Sequence, residues 1–354
     1  MTGQERLLAA LHFEPIDRVP WAPLIDGYFT RSLPPDKTMN VVESLRYIGA
    51  DILERHTPTV RTTVPGAEYE DRVTGEERTQ LIHTPVGTLT QKWRLTESTD
   101  FLHHPPLQTL DDFEPFIYLA EHSVVEPDYD RWREAQAIIG DDGLAVPSGP
   151  LSPIQALLQH DMKIEKVYYF LADHPQEMAE LMAAMHRRNK RVYEVLASSP
   201  APLIIDYEDT STTVMSPAIY RQWSLPYIDE YADICHAGGK LFITHMCGTL
   251  KGVAELVGQG RQDGVDSLGP EPTGDLSAPE ARAIWGDGKV IIGGLAPPTM
   301  KWAAPAELRT LVTELLEAMR PCRGFVLSSG DATPHGTPLD NLLAITEAVR
   351  AFTV

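Results

Sequence analysis

The densest chemistry in the chain is LFITHMCGTL, residues 241–250, where an apolar run ends in His245 and Cys247 with a glycine behind them. Side chains at i and i+2 of an extended chain point to the same side, so an imidazole and a thiol meet there. That pair suits zinc, which takes histidine nitrogen and cysteine thiolate, and a strand end holds it stiffly. The alternative is a buried histidine satisfied by a carbonyl beside a core cysteine. Asp331 in SSGDATPHG is the candidate third ligand, since Gly330 lets the backbone turn and an oxygen reach across; His335 is the weaker competitor, and a helix cap or turn is the plainer use of Asp331. A further stretch, Asp206-Tyr207-Glu208-Asp209, crowds three carboxylates. Their repulsion calls for a raised pKa or a cation, which fits a general acid or a metal ligand, unless the stretch is a solvated loop.

Short apolar runs alternate with longer amphipathic stretches, the rhythm of a parallel α/β fold. Candidate strands are Val19–Ile25, Ala50–Leu53, Leu144–Ser148, Leu203–Asp206, Lys240–Thr244, Gly264–Leu268, Val290–Gly293 and Gly324–Ser328. Helices are expected at Asn40–Ile48, Pro153–His160, Pro175–Ala197, Pro217–Ala237, Leu250–Gly258, Pro279–Trp285, Pro305–Met319 and Leu339–Phe352, several opening on a proline. Eight such units predict a single (β/α)8 TIM barrel over residues 1–354. The polar stretch Glu68–Leu95 interrupts them and reads as an inserted hairpin pair, the insertion spanning about 66–96. Active sites of such barrels lie at the strands' C-terminal ends. Asp26, Glu54, Tyr207, Glu208, Asp209, His245, Cys247, Glu271 and Asp331 all follow a strand and fall on that rim. Cys322 precedes the last strand, about seven residues at roughly 3.3 Å each below the rim, and is out of reach. Cys235 lies within a helix and is expected in the core.

Fifty acidic residues against 30 Lys plus Arg, a formal charge of -20, argue against a nucleic-acid partner, which requires a basic footprint. No run of about 18 apolar residues predicts a membrane span, and MTGQERLLAALHFEP has no signal-like apolar segment, so a cytoplasmic location is expected. Three scattered cysteines cannot form a disulfide framework. Walker and G-x-S-x-G motifs are absent, and Gly293-Gly294 lacks the spacing of a dinucleotide fingerprint.

Four segments together resemble the uroporphyrinogen decarboxylase superfamily and its corrinoid-dependent methyltransferase relatives. They are EDTSTTVMSPAIYRQWSLPYIDEY, ITHMCGTLKGVAELVGQGRQDGVDSLG, GDGKVIIGGLAP and GFVLSSGDATPHGTPLDNLLAITEAVR, with weaker echoes in ERLLAALHFEPIDRVP and TPVGTL. The resemblance implies the same barrel. True decarboxylases carry an arginine-rich segment after the first strand, where this chain has only Arg31 in WAPLIDGYFTRSLP, and their Gly-Asn-Leu-Asp-Pro is here Gly293-Gly294-Leu295-Ala296-Pro297. Methyltransferase relatives carry His-X-Cys and a second cysteine after a glycine; His245 and Cys247 match, and Asp331 replaces the second cysteine. This implies a zinc-dependent, corrinoid-type methyltransferase that removes an O-methyl group from a small methoxylated compound, with the corrinoid on a partner protein. His245, Cys247 and Asp331 would hold the metal with Glu208 as a fourth ligand. Asp209 and Glu208 would be catalytic, and Asp26, Tyr207 and Glu271 would contact substrate. The competing expectations are a metal-free decarboxylase relying on Asp209 and a non-catalytic ligand-binding barrel.

Overall fold

The apolar runs of the second half are rich in Ile, Val and Phe, residues that pack well on a pleated surface, and they form strands covered on both faces. A computed structural model of the chain describes residues 1–96 and 99–354. In chain order its strands begin with β1 (Ile52–Glu54), followed by β2 (Val60–Thr63). Next come β3 (Glu68–Thr74), β4 (Glu77–Thr84), β5 (Gly87–Leu95), β6 (Asp100–His104) and β7 (Val124–Pro127). The remainder are β8 (Gly143–Ala145), β9 (Ser148–Gly149), β10 (Leu203–Asp206), β11 (Leu241–His245), β12 (Gly264–Leu268), β13 (Val290–Leu295) and β14 (Phe325–Ser329). The result is an α/β fold on parallel sheet, with β9 to β14 paired in sequence order and β1 paired with β8.

The expected strand Val19–Ile25 reduces to one bridge, Trp21 with Leu327, because Pro20 and Pro23 cannot donate to a ladder. Its remaining groups still connect the pieces. Leu327 N–H donates to Pro20 O and Ala22 N–H to Leu327 O, both at 2.9 Å, while Asp51 N–H donates to Trp21 O at 2.7 Å. Val146 N–H to Glu54 O and Ile205 N–H to Pro147 O complete the circuit from β1 through β8 and β9 to β10.

Alternation along the strands divides the apolar side chains into two sets. Leu53, Leu144, Val146, Leu203, Ile205, Ile243, Ile292 and Val326 pack together on one side, closed at one end by Leu7, Ala10 and Leu11 of the helix Gly3–Leu11. Ile52, Ile204, Phe242, Val265, Ile291 and Phe325 pack on the other side with the helices. That N-terminal helix is anchored by Arg6, which reaches Asp51 at 2.5 Å and Asp17 at 2.7 Å. The polar end of the strands is left open opposite it.

The inserted stretch turns at 75–76 and 85–86 and becomes a four-stranded antiparallel sheet, β3 to β6, of which Asp100–His104 was not anticipated. Ile82 and Leu89 seat it against Phe113 and Phe116. Two helices also depart from expectation. Pro226 breaks Pro217–Ala237 at Ser224 into Pro217–Trp223 and Leu225–Ala237, and Pro153–His160 becomes Pro153–Ala156 followed by a π-helical turn, Leu157–Asp161.

Asp206, the last residue of β10, shares the helix-facing side with Ile204, is fully buried, and has neither carboxylate oxygen hydrogen-bonded among the described residues. Burial, then the nearby Glu208 and Asp209, pushes its pKa well above the usual carboxylate range. The folded chain therefore keeps a proton that the unfolded chain releases near pH 4, so this group's contribution is intact at low pH and is lost as pH rises. Asp206→Asn is expected to raise the melting temperature by a few °C at pH 8, with the gain shrinking toward pH 4. Thermal unfolding across that range measures it; a gain independent of pH would refute the assignment.

Candidate metal centre

β11 and β10 end side by side, and their exits deliver the reactive groups. His245 closes β11 and faces the interior set like Ile243, two residues before it. Its Nδ1–H donates to Asp266 Oδ2 at 2.8 Å, and Asp266 in turn accepts from Arg55 Nη2 at 2.6 Å and Nε at 3.2 Å. All three side chains are buried. Burial works against the Asp266 carboxylate, yet the Arg55 charge and the His245 contact outweigh it and hold its pKa below the usual range. For His245, burial opposes the imidazolium, but the bond and charge of Asp266, with Asp209 and Asp331 behind, raise its pKa. Because Nδ1 is committed to Asp266, Nε2 is the nitrogen presented to the open end.

Opposite that nitrogen stands Asp209, with Oδ1 at 3.4 Å from His245 Nε2 and accepting the Cys247 thiol at 3.4 Å. One ligand atom from each of Asp209, His245 and Cys247 lies within 4.8 Å of the others. The residues fit a metal on two counts. The donors are one nitrogen, one sulfur and one oxygen, which suits zinc, and the histidine is backed by a carboxylate that fixes its tautomer, the usual support of a zinc-ligating imidazole. Without a cation the cluster is poorly compensated: burial and then the Asp209 and Asp331 carboxylates push the Cys247 thiol far up, and burial raises Asp209.

The cluster lies in a cavity of about 410 Å³ whose lining includes Asp26, Glu54, Arg55, His56, Tyr207 and Asp331. His56 stacks on Tyr207 with ring centroids 4.0 Å apart, and Tyr207 stacks on His245 at 4.4 Å, giving an aromatic wall of three rings. Loss of solvation, then the neighbouring His245 and Arg55, lowers His56 to about 4, so it is neutral at pH 7. Glu54 is raised to about 7 by burial, only partly offset by Arg55. The Tyr207 hydroxyl has no hydrogen-bond partner among the described residues. Arg55 is the only Lys or Arg in the lining among the described residues, and its guanidinium is committed to Asp266.

The structure thus brings Asp26, Glu54, Tyr207, Asp209, His245, Cys247 and Asp331 to one cavity and places the other candidates elsewhere. Asp331 is exposed, accepts its own following N–H from Ala332 and lies outside the three-residue donor cluster, where Asp209 stands instead. The chain bends at Gly330, and the residue also serves close packing, since a Cβ there would sit 2.5 Å from the Gly269 backbone. Glu208 lies outside the cavity lining and the donor cluster: Ser152 and Ser224 occupy both its oxygens. Glu271 is exposed in the loop after β12 and lines no part of the cavity, and His335 is exposed outside it as well. Asp26 caps the helix Gly27–Arg31 through the Phe29 N–H at 2.8 Å while facing the cavity, and Arg31 lies over Tyr28, outside the lining. Cys235 and Cys322 are buried and apart from the site.

Arg55, His56 and Asp266 carry no role in the sequence reading. The signal for Asp266 was available as a carboxylate inside the apolar run Gly264–Leu268. Asp266 follows Val265, which packs toward the helices, and so faces inward by alternation; a β-bulge then shifts the register with β13 between Val265 and Leu268, with Ser267 at φ of 62° and Leu268 back on the helix side.

Zinc titration of the purified chain distinguishes the two candidate oxygen ligands. Asp209→Ala is expected to weaken zinc binding by at least about 10-fold and Asp331→Ala by less than about 3-fold, on the scale set by loss of supporting groups around zinc. The reverse order would restore Asp331 as ligand.

Comparison with known proteins places this geometry. A curated uroporphyrinogen decarboxylase of Coxiella burnetii is 28% identical over 153 residues, 41% of this chain and 40% of its own length. One from Paraburkholderia phytofirmans is 25% identical over 160 residues, 44% of this chain and 41% of its own length. The chain therefore matches about two fifths of the length of these relatives. A solved structure described as a methyltransferase from Methanosarcina mazei superposes with a TM-score of 0.65 over 99% of this chain and 98% of that one, at 17% identity, a likeness of fold. No helix among the described residues is long and apolar enough to cross a membrane. The model of the uroporphyrinogen decarboxylase (URO-D) family matches residues 145–352, more than half of the chain and all of the strands that carry the donor cluster, and the chain belongs to that family.

Proposed function

We propose that the chain is one (β/α)8 barrel over residues 1–354, carrying an inserted antiparallel sheet, and that it is a zinc-dependent methyltransferase acting on a small methoxylated compound. The observation that carries the reading is the convergence of Asp209, His245 and Cys247 with a second carboxylate, Asp266, behind the histidine. Zinc held by these residues would supply Lewis acidity toward an ether or alcohol oxygen, sharpened by a donor set with only one thiolate. The methyl acceptor would be a corrinoid brought by a partner protein.

The remaining groups take roles that their positions support. Asp266 keeps His245 Nε2 directed at the cluster, and Arg55 keeps Asp266 ionised. Tyr207 gives the cavity an aromatic face, stacked between His56 and His245. Glu54, raised to about 7, is suited to give a proton to the departing alkoxide at neutral pH. Leu24, Ile25 and Val41 give the cavity an apolar side for the body of the substrate.

A metal-free decarboxylase is the second reading, favoured by Asp209 facing the cavity. A substrate bearing several carboxylates would need cations to hold it. The cavity instead offers Asp26, Asp209 and Asp331, and its one guanidinium is already paired.

The test combines elemental analysis with a methyl-transfer assay using aryl methyl ethers and chemically reduced free cobalamin, followed by the absorbance of the methylated product. About one zinc per chain and zinc-dependent transfer are expected. His245→Ala should lose the metal and cut transfer by more than about 100-fold, beyond the usual cost of removing a supporting residue. Full transfer by His245→Ala, or release of CO2 from a polycarboxylate by metal-free protein, would overturn the reading.

A further inference from the structure

The segment that carries Tyr207 and Asp209 into the cavity is gripped from behind. Glu208, between them, faces the opposite side and is fully buried. One of its oxygens accepts the Ser152 backbone N–H, and the other accepts the hydroxyls of Ser152 at 2.8 Å and Ser224 at 2.9 Å. Ser152 begins the helix Pro153–Ala156, and Ser224 sits at the break between Pro217–Trp223 and Leu225–Ala237. Three parts of the chain therefore meet on one carboxylate.

The same helix and its π turn add two amides. Gln155 donates to the Asp209 carbonyl at 3.1 Å, and Gln159 donates to the carbonyls of Tyr207 and Glu208 at 3.3 Å. On the cavity side the Asp209 N–H donates to the His245 carbonyl at 2.9 Å. Between these holds, Asp209 has φ of 39°, a left-handed conformation uncommon outside glycine, though aspartate adopts it more readily than most residues.

We propose that Glu208 is a positioning residue, a buried latch that pins the exit of β10 to Ser152 and Ser224 and so keeps Asp209 in the left-handed conformation that places its oxygen at His245 and Cys247. This rests on the reading of Asp209 as a metal ligand. Glu208 acts without touching zinc or substrate. Its effect runs through the backbone, because moving residue 208 turns the carboxylate of residue 209 out of the cluster.

Zinc affinity, measured by chelator competition, is the first readout, with the absorption of cobalt-substituted protein as the spectroscopic one. Glu208→Ala is expected to weaken zinc binding by about 10–100-fold, the range for residues that orient a ligand, and to alter the cobalt spectrum. Glu208→Gln should restore affinity to within about 3-fold, since its carbonyl still accepts the Ser152 N–H and its amide can donate to hydroxyls free to rotate. Asp206→Ala truncates the neighbouring buried carboxylate on the same side of the segment and should leave affinity unchanged. If Glu208→Ala does not fold, the Ser152→Ala, Ser224→Ala double variant takes its place. Wild-type affinity in the latch variant, or an equal loss in Asp206→Ala, would overturn the proposal. Metal-free crystal structures separate this from the metal reading. If the wild type takes up no zinc, the latch is judged by the Asp209 Oδ1 to His245 Nε2 separation, 3.4 Å in the intact chain. It should lengthen by more than about 0.5 Å in Glu208→Ala, the tolerance of a preorganised site, and an unchanged separation would refute the latch.

Discussion

A buried charge needs a partner, and here one carboxylate serves two. Asp266 sits between Arg55 and His245 with none of the three exposed, and the three come from or directly follow three different strands. Taking such groups out of water costs several kcal/mol per ion, so the arrangement persists only while all three remain together. Loss of either partner would leave a charge stranded in the interior, typically a penalty of about 3–5 kcal/mol. The relative register of β1, β11 and β12 is therefore fixed by electrostatics as well as by the apolar sets on either side of the sheet. The same chain of contacts decides which histidine nitrogen faces the cavity.

That constraint shapes what the cavity can accept. Its one guanidinium among the described residues is spent internally, so its other polar groups are carboxylates, a thiol and a neutral imidazole. A pocket built in this way gains little from an anionic ligand and much from a cation at its centre. The division between the two sides of the strand exit is equally strict. Tyr207 and Asp209 turn toward the cavity, while Asp206 and Glu208 turn into the layer under the helices. Of those two, Glu208 is met by three donors and Asp206 by none among the described residues, and the contrast separates a carboxylate used as an anchor from one kept neutral.

Much of this was readable from residue types and spacing. Seven of the eight strand segments, the inserted antiparallel stretch and seven residues of the cavity follow from apolar rhythm and from the rule that polar groups cluster at the C-terminal ends of parallel strands. What escaped did so for identifiable reasons. Glu208 was grouped with its neighbours although period two places it opposite Tyr207 and Asp209. Asp209, rather than Asp331, lies beside the His245 and Cys247 donor atoms, and its placement goes with a left-handed turn at residue 209, which no propensity announces. Arg55 and Asp266 are 211 positions apart in the chain, and only the folded sheet makes them a pair. Pro20 and Pro23 removed a strand without removing its place in the sheet, since the Pro20 and Trp21 carbonyls and the Ala22 N–H still bond.

The bulge in β12 has an implication for how this chain tolerates change. Most insertions and deletions in such folds fall harmlessly in the connecting loops. Ser267 lies inside the sheet instead. Deleting that one residue would mend the ladder between β12 and β13 and return the strand to strict alternation, with Val265 and Leu268 still on the helix side. The faces would be kept, but the strand would end short by one residue, about 3.3 Å. The irregularity thus sets reach rather than facing: it decides how far the loop after Leu268 extends at the open end, not which side chains look inward.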